Sequence, residues 1–154
     1  MFEIIKKRVI SPQITLMEVR AERVAKHAKP GQFIMLRVNE TGERIPLTIA
    51  DFDRARGTVT IVYQQVGKTT AMLAALNEGD GILDFAGPLG NPSELEGIRH
   101  ACVVGGGLGC AIAYPQAKEL KRLGAHVDMI AGFRSKDLIF FEEEMKGVSD
   151  TLIV

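Results

Sequence analysis

His100-Ala101-Cys102-Val103-Val104-Gly105-Gly106-Gly107-Leu108-Gly109 is the stretch at which the chain changes character. A short continuous apolar run leads straight into a glycine cluster, and a helix is expected from there to about Leu123. Unbroken apolarity marks a strand buried on both faces, the habit of parallel sheets. Gly124 is a natural helix stop, because a glycine just past the last turn adopts positive φ without a Cβ penalty. Beyond it Val127-Asp128-Met129-Ile130-Ala131 reads as a second apolar strand. An amphipathic helix is expected from about Ser135 to Lys146, and Thr151-Leu152-Ile153-Val154 begins a third strand. Strand, helix, strand, helix, strand predicts a parallel α/β layer over residues 98–154. Such layers normally continue for several more elements, and Val154 lies inside an apolar strand. The expectation is therefore a partial layer in a truncated chain, with the edge of the strand at 101–104 lacking its neighbour.

Upstream, from Phe2 to about Gly97, the period is two. Ile14-Thr15-Leu16-Met17-Glu18-Val19, Gln32-Phe33-Ile34-Met35-Leu36-Arg37-Val38, Arg44-Ile45-Pro46-Leu47-Thr48-Ile49, Gly57-Thr58-Val59-Thr60-Ile61-Val62-Tyr63 and Gly81-Ile82-Leu83-Asp84-Phe85 are short runs rich in Ile, Val and Thr. Lys29-Pro30-Gly31 and Glu78-Gly79-Asp80-Gly81 supply turns. This pattern predicts an antiparallel barrel or sandwich over residues 1–97, interrupted by one helix at about Thr69 to Leu76. The fold class is thus a β barrel followed by a partial, Rossmann-like α/β layer.

Composition narrows the function. Lys and Arg total 19, as do Asp and Glu, so no global field draws the chain to nucleic acid or anionic lipid. No apolar run is long enough to span a bilayer, and the opening residues lack a signal peptide's apolar stretch, which predicts a cytoplasmic protein. Cys102 and Cys110 are the only cysteines, which fits a reducing compartment and cannot furnish a four-cysteine metal site. Cys110 stands at a helix start, where a thiol can be activated, yet reads as a small packing residue. His27, His100 and His126 stand apart in sequence, so no metal site is expected.

Two segments can carry ligand chemistry. Gly105 to Gly109 lets the backbone turn tightly and approach an anion at a helix N-terminus, where N–H groups lack partners. The spacing departs from a full G-x-G-x-x-G, so a tight turn without ligand is the other reading. After the second strand come Arg134, Ser135 and Lys136, suited to a 2′-phosphate. Asp137 there suits a ribose hydroxyl or merely a first helical turn. In the barrel half, alternation puts Arg44, Pro46 and Thr48 on one face of a strand. Pro46 removes a ladder donor, as at an edge or where something other than a strand lies alongside. A cation and a hydroxyl so placed can grip a phosphate and a heteroaromatic edge, or can simply be solvated.

Four motifs in order give a resemblance to the ferredoxin-NADP reductase superfamily. Arg44 to Thr48 resembles its Arg-x-(Tyr/Pro)-x-(Ser/Thr) flavin motif, and Gly67-Lys68-Thr69-Thr70 its Gly-x-x-(Ser/Thr) pyrophosphate loop. Gly87-Pro88-Leu89-Gly90 resembles its interdomain linker, and Gly105 to Gly109 its nicotinamide-nucleotide loop. Within the superfamily, Glu43 to Asp51 and Ala131 to Lys136 look most like dihydroorotate dehydrogenase electron-transfer subunits. They look equally like the small subunits of sulfide dehydrogenase and NADH-dependent ferredoxin-NADP oxidoreductase.

The resemblance implies an NAD(P)H-dependent flavin oxidoreductase subunit, with FAD in the barrel and NAD(P)H on the α/β layer. By position, Arg44 would pair with the FAD pyrophosphate, with Pro46 and Leu47 beside it, and Thr48 would lie near the flavin N5, where hydride arrives. Ile61, Val62 and Tyr63 would meet the cofactor through their backbone, and Gly67, Lys68, Thr69 and Thr70 would hold phosphate. Gly87 would border the flavin, while Gly105, Gly106, Gly107, Leu108, Gly109, Arg134 and Ser135 would hold the nicotinamide nucleotide. Electrons would pass to a catalytic or electron-accepting partner subunit in a hetero-oligomer. The family's [2Fe-2S] cluster lacks its cysteine ligands here. The alternative is a non-catalytic flavin-binding or assembly module.

Overall fold

The computed structural model describes residues 1–154. Its first half is two antiparallel sheets closed around one core, as a barrel. β1 (Phe2–Val9), β2 (Ile14–Arg20), β5 (Asp51–Asp53), β6 (Thr58–Gln64) and β7 (Gly81–Ile82) form a five-stranded sheet in the order β5-β6-β2-β1-β7. β3 (Phe33–Arg37), β4 (Ile45–Thr48) and β8 (Asp84–Leu89) form a second sheet in the order β4-β3-β8. Alternation decides which side chains enter the core: Met17 and Val19 on β2, Ile34 and Leu36 on β3, and Val59, Ile61 and Tyr63 on β6 are all buried there. α1 (Glu22–His27), a helix that sequence periodicity did not anticipate, contributes Val24 and Ala25 to the same core. α2 (Lys68–Ala74) agrees with the expected helix and buries Leu73.

The second half is a parallel sheet of β9 (His100–Gly106), β10 (His126–Gly132) and β11 (Thr151–Ile153), ordered β11-β10-β9. Between β9 and β10 runs α3 (Cys110–Arg122), entered by a single 3-10 turn at Gly107–Gly109 and ended at Gly124 with φ 89°. Ala113, Ala117 and Leu120 of α3 pack with Val127, Met129 and Ala131 of β10. The opposite face of the sheet is bare. Val104 is 67% exposed and Ile153 59% exposed, and β9 is an edge strand, as anticipated.

The expected helix from Ser135 to Lys146 does not form. In its place stand a 3-10 turn at Lys136–Leu138 and a short α4 (Glu142–Gly147). Phe140 and Phe141 are both buried, and consecutive residues on one helix point about 100° apart. Sending both rings inward requires the chain to bend, and Phe141 takes φ 60° to do so.

The two halves share packing. Leu16, Ala50 and Val62 of the barrel lie in one apolar cluster with Cys110, Ala111 and Tyr114 of α3. β6 therefore serves both cores, with Ile61 and Tyr63 in the barrel and Val62 against the α/β layer. No helix is long and apolar enough to cross a membrane.

Candidate functional site

β6 is the strand on which the site is built. β2 pairs with it over Thr58 to Gln64, but β5 pairs only with Thr58 to Thr60. Past Thr60 the β5 side of β6 has no strand partner, so its backbone polar groups over 61–64 are not taken up by a sheet ladder on that side. Two further elements touch β6: β4 and the 3-10 turn Gly107–Gly109. The strand that carries Ile61, Val62 and Tyr63 is thus in contact with the strand that follows Arg44 and with the glycine turn. Because Ile61 and Tyr63 point into the barrel core, only their backbone can meet a ligand.

On β4, Ile45 and Leu47 pack against the barrel core. Arg44 and Pro46 are exposed and Thr48 is half-buried, consistent with the expected alternation. The Arg44 guanidinium lies 3.4 Å from Asp84 Oδ2 and its side chain is 61% exposed. Arg37 Nε, at 2.9 Å, is the closer partner of the same carboxylate. An exposed pair contributes about 0–1 kcal/mol, so Arg44 can leave Asp84 at little cost while Arg37 keeps that carboxylate paired. Arg44 and Gly87 also line a cleft of about 720 Å³ with Met35 and Phe85. A Cβ on Gly87 would come within 2.8 Å of the Ile34 side chain, so the residue is fixed by packing.

The Gly67–Thr70 turn precedes and opens α2. Thr70 Oγ1 accepts from the backbone N–H groups of Val66 (2.9 Å) and Gly67 (3.0 Å), and donates to Gly67 O (3.1 Å). Its hydroxyl is therefore committed to shaping the turn. Thr69 is buried, Lys68 is exposed, and no atom lies within 4 Å of where a Gly67 side chain would stand.

The glycine cluster divides by role. A Cβ on Gly105 would lie 3.0 Å from both Cys110 Cα and Ala113 Cβ, so this glycine allows strand and helix to touch. Gly106, Gly107 and Gly109 face open space, with Gly107 at φ 53°, leaving their backbone approachable. Leu108 instead packs against the α3 cluster. Gly132 pairs with Gly106 across the sheet, which brings exposed Arg134 and Ser135, just beyond Gly132, to the same carboxyl end. The Asp137 carboxyl is held below its ordinary range by a hydrogen bond from Ser135 and by its own backbone, a local turn arrangement. The Cys110 thiol is wholly buried and burial pushes it up, which fits packing.

One grouping was not legible from sequence. His100 and His126, read as isolated, are register partners whose ring centroids lie 4.5 Å apart, with Asp128 between their nitrogens. Their separation of 26 positions in the chain is closed by parallel strand pairing, which local spacing does not reveal.

Known proteins resemble this chain in sequence and in fold. The profile of the oxidoreductase FAD-binding domain family matches residues 1–93. A protein from the adh 3′ region of Clostridium beijerinckii is 50% identical over 161 aligned residues, covering 100% of this chain and 54% of its own length. A Thermotoga maritima homologue of the dihydroorotate dehydrogenase B (NAD(+)) electron transfer subunit is 45% identical, covering 99% of this chain and 54% of its own length. A solved structure of an NADH-dependent reduced ferredoxin-NADP oxidoreductase, studied for flavin-based electron bifurcation, superposes with a TM-score of 0.91 at 45% identity. That match covers 97% of this chain and 54% of the other. The chain spans about half the length of the curated relatives it matches.

Proposed function

The chain belongs to the oxidoreductase FAD-binding domain family, and from that premise we propose that it is part of a flavin-dependent electron-transfer subunit. The subunit moves electrons from NAD(P)H through FAD to a partner subunit or an iron-sulfur acceptor. Residues 1–97 are the FAD-binding barrel and residues 98–154 the first strands of the NAD(P)-binding layer. The observation that carries this reading is that β4 and the Gly107–Gly109 turn both touch β6, a strand that β5 pairs only over Thr58 to Thr60.

The residues present fit the cofactor: a loosely paired cation, an open backbone edge and glycines with free space before them. Arg44 holds the FAD diphosphate, exchanging Asp84 for it, and Thr48 presents its hydroxyl to the reacting edge of the ring. Pro46 and Leu47 fix the β4 backbone between them. Ile61, Val62 and Tyr63 offer backbone groups, while the Gly67–Thr70 turn offers N–H groups whose direction Thr70 sets. Gly106, Gly107 and Gly109 receive the dinucleotide phosphates, and Arg134 and Ser135 take its adenosine end. Bound in this way, the flavin supplies two-electron acceptance and one-electron release, so the protein's task is alignment and no acid–base triad is needed.

Titration with FAD, followed by visible absorbance, tests the reading. Arg44→Ala is expected to weaken FAD binding by about 10–100-fold, the value of a charge-assisted hydrogen bond of roughly 1.5–3 kcal/mol. An unchanged titration would reject the Arg44 assignment. Bleaching of the bound flavin by NADH or NADPH separates an electron-transferring chain from a flavin-binding assembly module, which would stay yellow.

A further inference from the structure

We propose that His100, His126 and Asp128 form a binding site for a divalent transition metal on the bare face of the parallel sheet. Such a site needs donors of the right kind, close together, on backbone that does not have to be reorganised. β9 and β10 meet all three needs. They pair in register over His100–Gly106 and His126–Gly132, with His126 opposite His100. Asp128 follows His126 by two residues and so shares its face. The three donor atoms lie within 4.8 Å of one another.

The carboxylate already spans both rings, with Oδ2 2.9 Å from His100 Nε2 and Oδ1 3.1 Å from His126 Nε2. Donors bonded at about 2.0–2.1 Å to a tetrahedral zinc ion sit roughly 3.3–3.4 Å apart. The imidazole-to-carboxylate spacing is therefore near that of a liganded site, and only side-chain rotation is required to admit the ion.

A second carboxylate stands behind the first. Asp150 Oδ2 is 3.6 Å from His126 Nδ1 and accepts from Val127 N at 2.8 Å, while its other oxygen is bonded to Lys121. Asp150 thus stands on the Nδ1 side of His126 and Asp128 on its Nε2 side, and a small turn of the ring would bring Asp150 into the place of the usual outer partner of a metal-bound histidine. Two imidazoles and one carboxylate suit zinc and its neighbours rather than magnesium or calcium. The fourth position faces solvent, since His100 and His126 are both exposed.

The site lies at the amino ends of the strands. Gly106 lies six positions on from His100, about 20 Å along an extended strand, so the metal would join β9 to β10 far from the glycine turn.

Calorimetric titration of the untagged protein with Zn²⁺ in chelator-treated buffer tests the proposal. One equivalent is expected to bind, and to raise the thermal midpoint, because an ion that binds only the folded state stabilises it. The double variant His100→Gln/His126→Gln should lose this binding, Asp128→Asn should weaken it strongly, and Asp150→Asn should weaken it by about 10–100-fold. All four positions are polar groups at or near the surface, and far-UV circular dichroism checks that each variant is folded. Cys102, exposed on the same face, is tested by Cys102→Ser, which should bind zinc as the parent does. No saturable binding to the parent would overturn the proposal, as would undiminished binding by a folded double-histidine variant. Loss confined to Cys102→Ser would likewise overturn the ligand set.

Discussion

At the scale of the residue, Gly105 and Gly106 are adjacent and chemically identical, yet packing gives them opposite duties. A Gly105 side chain would be crowded at 3.0 Å by Cys110 Cα and Ala113 Cβ of α3, which cannot turn aside as a flexible side chain can. Gly105→Ala should lower stability by about 1–3 kcal/mol in urea unfolding, the usual result of overpacking. Gly106 has extended dihedrals and nothing near it, so Gly106→Ala should stay within about 0.5 kcal/mol of the parent. The glycine cluster and its strand-to-helix setting were legible in the sequence, because glycine and the change of hydrophobic period are local signals. Which glycine packs and which stands open was not, because that depends on the approach of α3. The same limit hid the His100–His126 pair, whose proximity is a property of register between strands.

Elements whose ends are set by their own residues were read well, and those set by tertiary demand were not. α2 spans Lys68–Ala74, within two residues of the expected Thr69 to Leu76 at either end, with Thr70 latching Val66 and Gly67 into the turn. Thr70→Ala should cost about 0.5–2 kcal/mol, in the range of a lost helix-terminal cap, and Thr70→Ser should recover most of it in the same unfolding assay. The segment 135–147 shows the opposite case. Its polar and apolar spacing suits one helix, but Phe133, Phe140, Phe141 and Tyr114 form a chain of ring contacts, with centroids 5.6, 5.2 and 4.9 Å apart in succession. Burying the neighbouring Phe140 and Phe141 together outweighs the few hydrogen bonds gained by continuing a helix. The Ile139-Phe140-Phe141 run was the only sequence sign of this break.

For the whole molecule, the titration of buried groups sets the alkaline limit of stability. Tyr63 sits in the barrel core and Tyr114 under Phe141, and burial raises both phenols well above their ordinary value of about 10, with Asp51 and Glu144 adding to the rise at Tyr114. Above that pH the unfolded chain releases protons that the folded chain retains, so ionisation favours unfolding. The phenols' contribution is fully present below pH about 10 and is lost as pH rises beyond it. Urea midpoints should accordingly show no tyrosine-linked change up to about pH 10 and fall above it. A tyrosinate absorbance that titrates near pH 10 in the folded protein would contradict this.

Leu16, Ala50 and Val62 have a consequence of another kind, because they are barrel residues seated in the cluster that α3 completes. Heat cannot dissolve the parallel layer without stripping the outer wall of the barrel, nor loosen that wall without ungluing α3. A differential scanning calorimeter should record a single endotherm, with matching calorimetric and van't Hoff enthalpies, rather than a pair of peaks. Mechanically the two halves form one block, which tilts or shifts as a unit rather than bending at the seam between them.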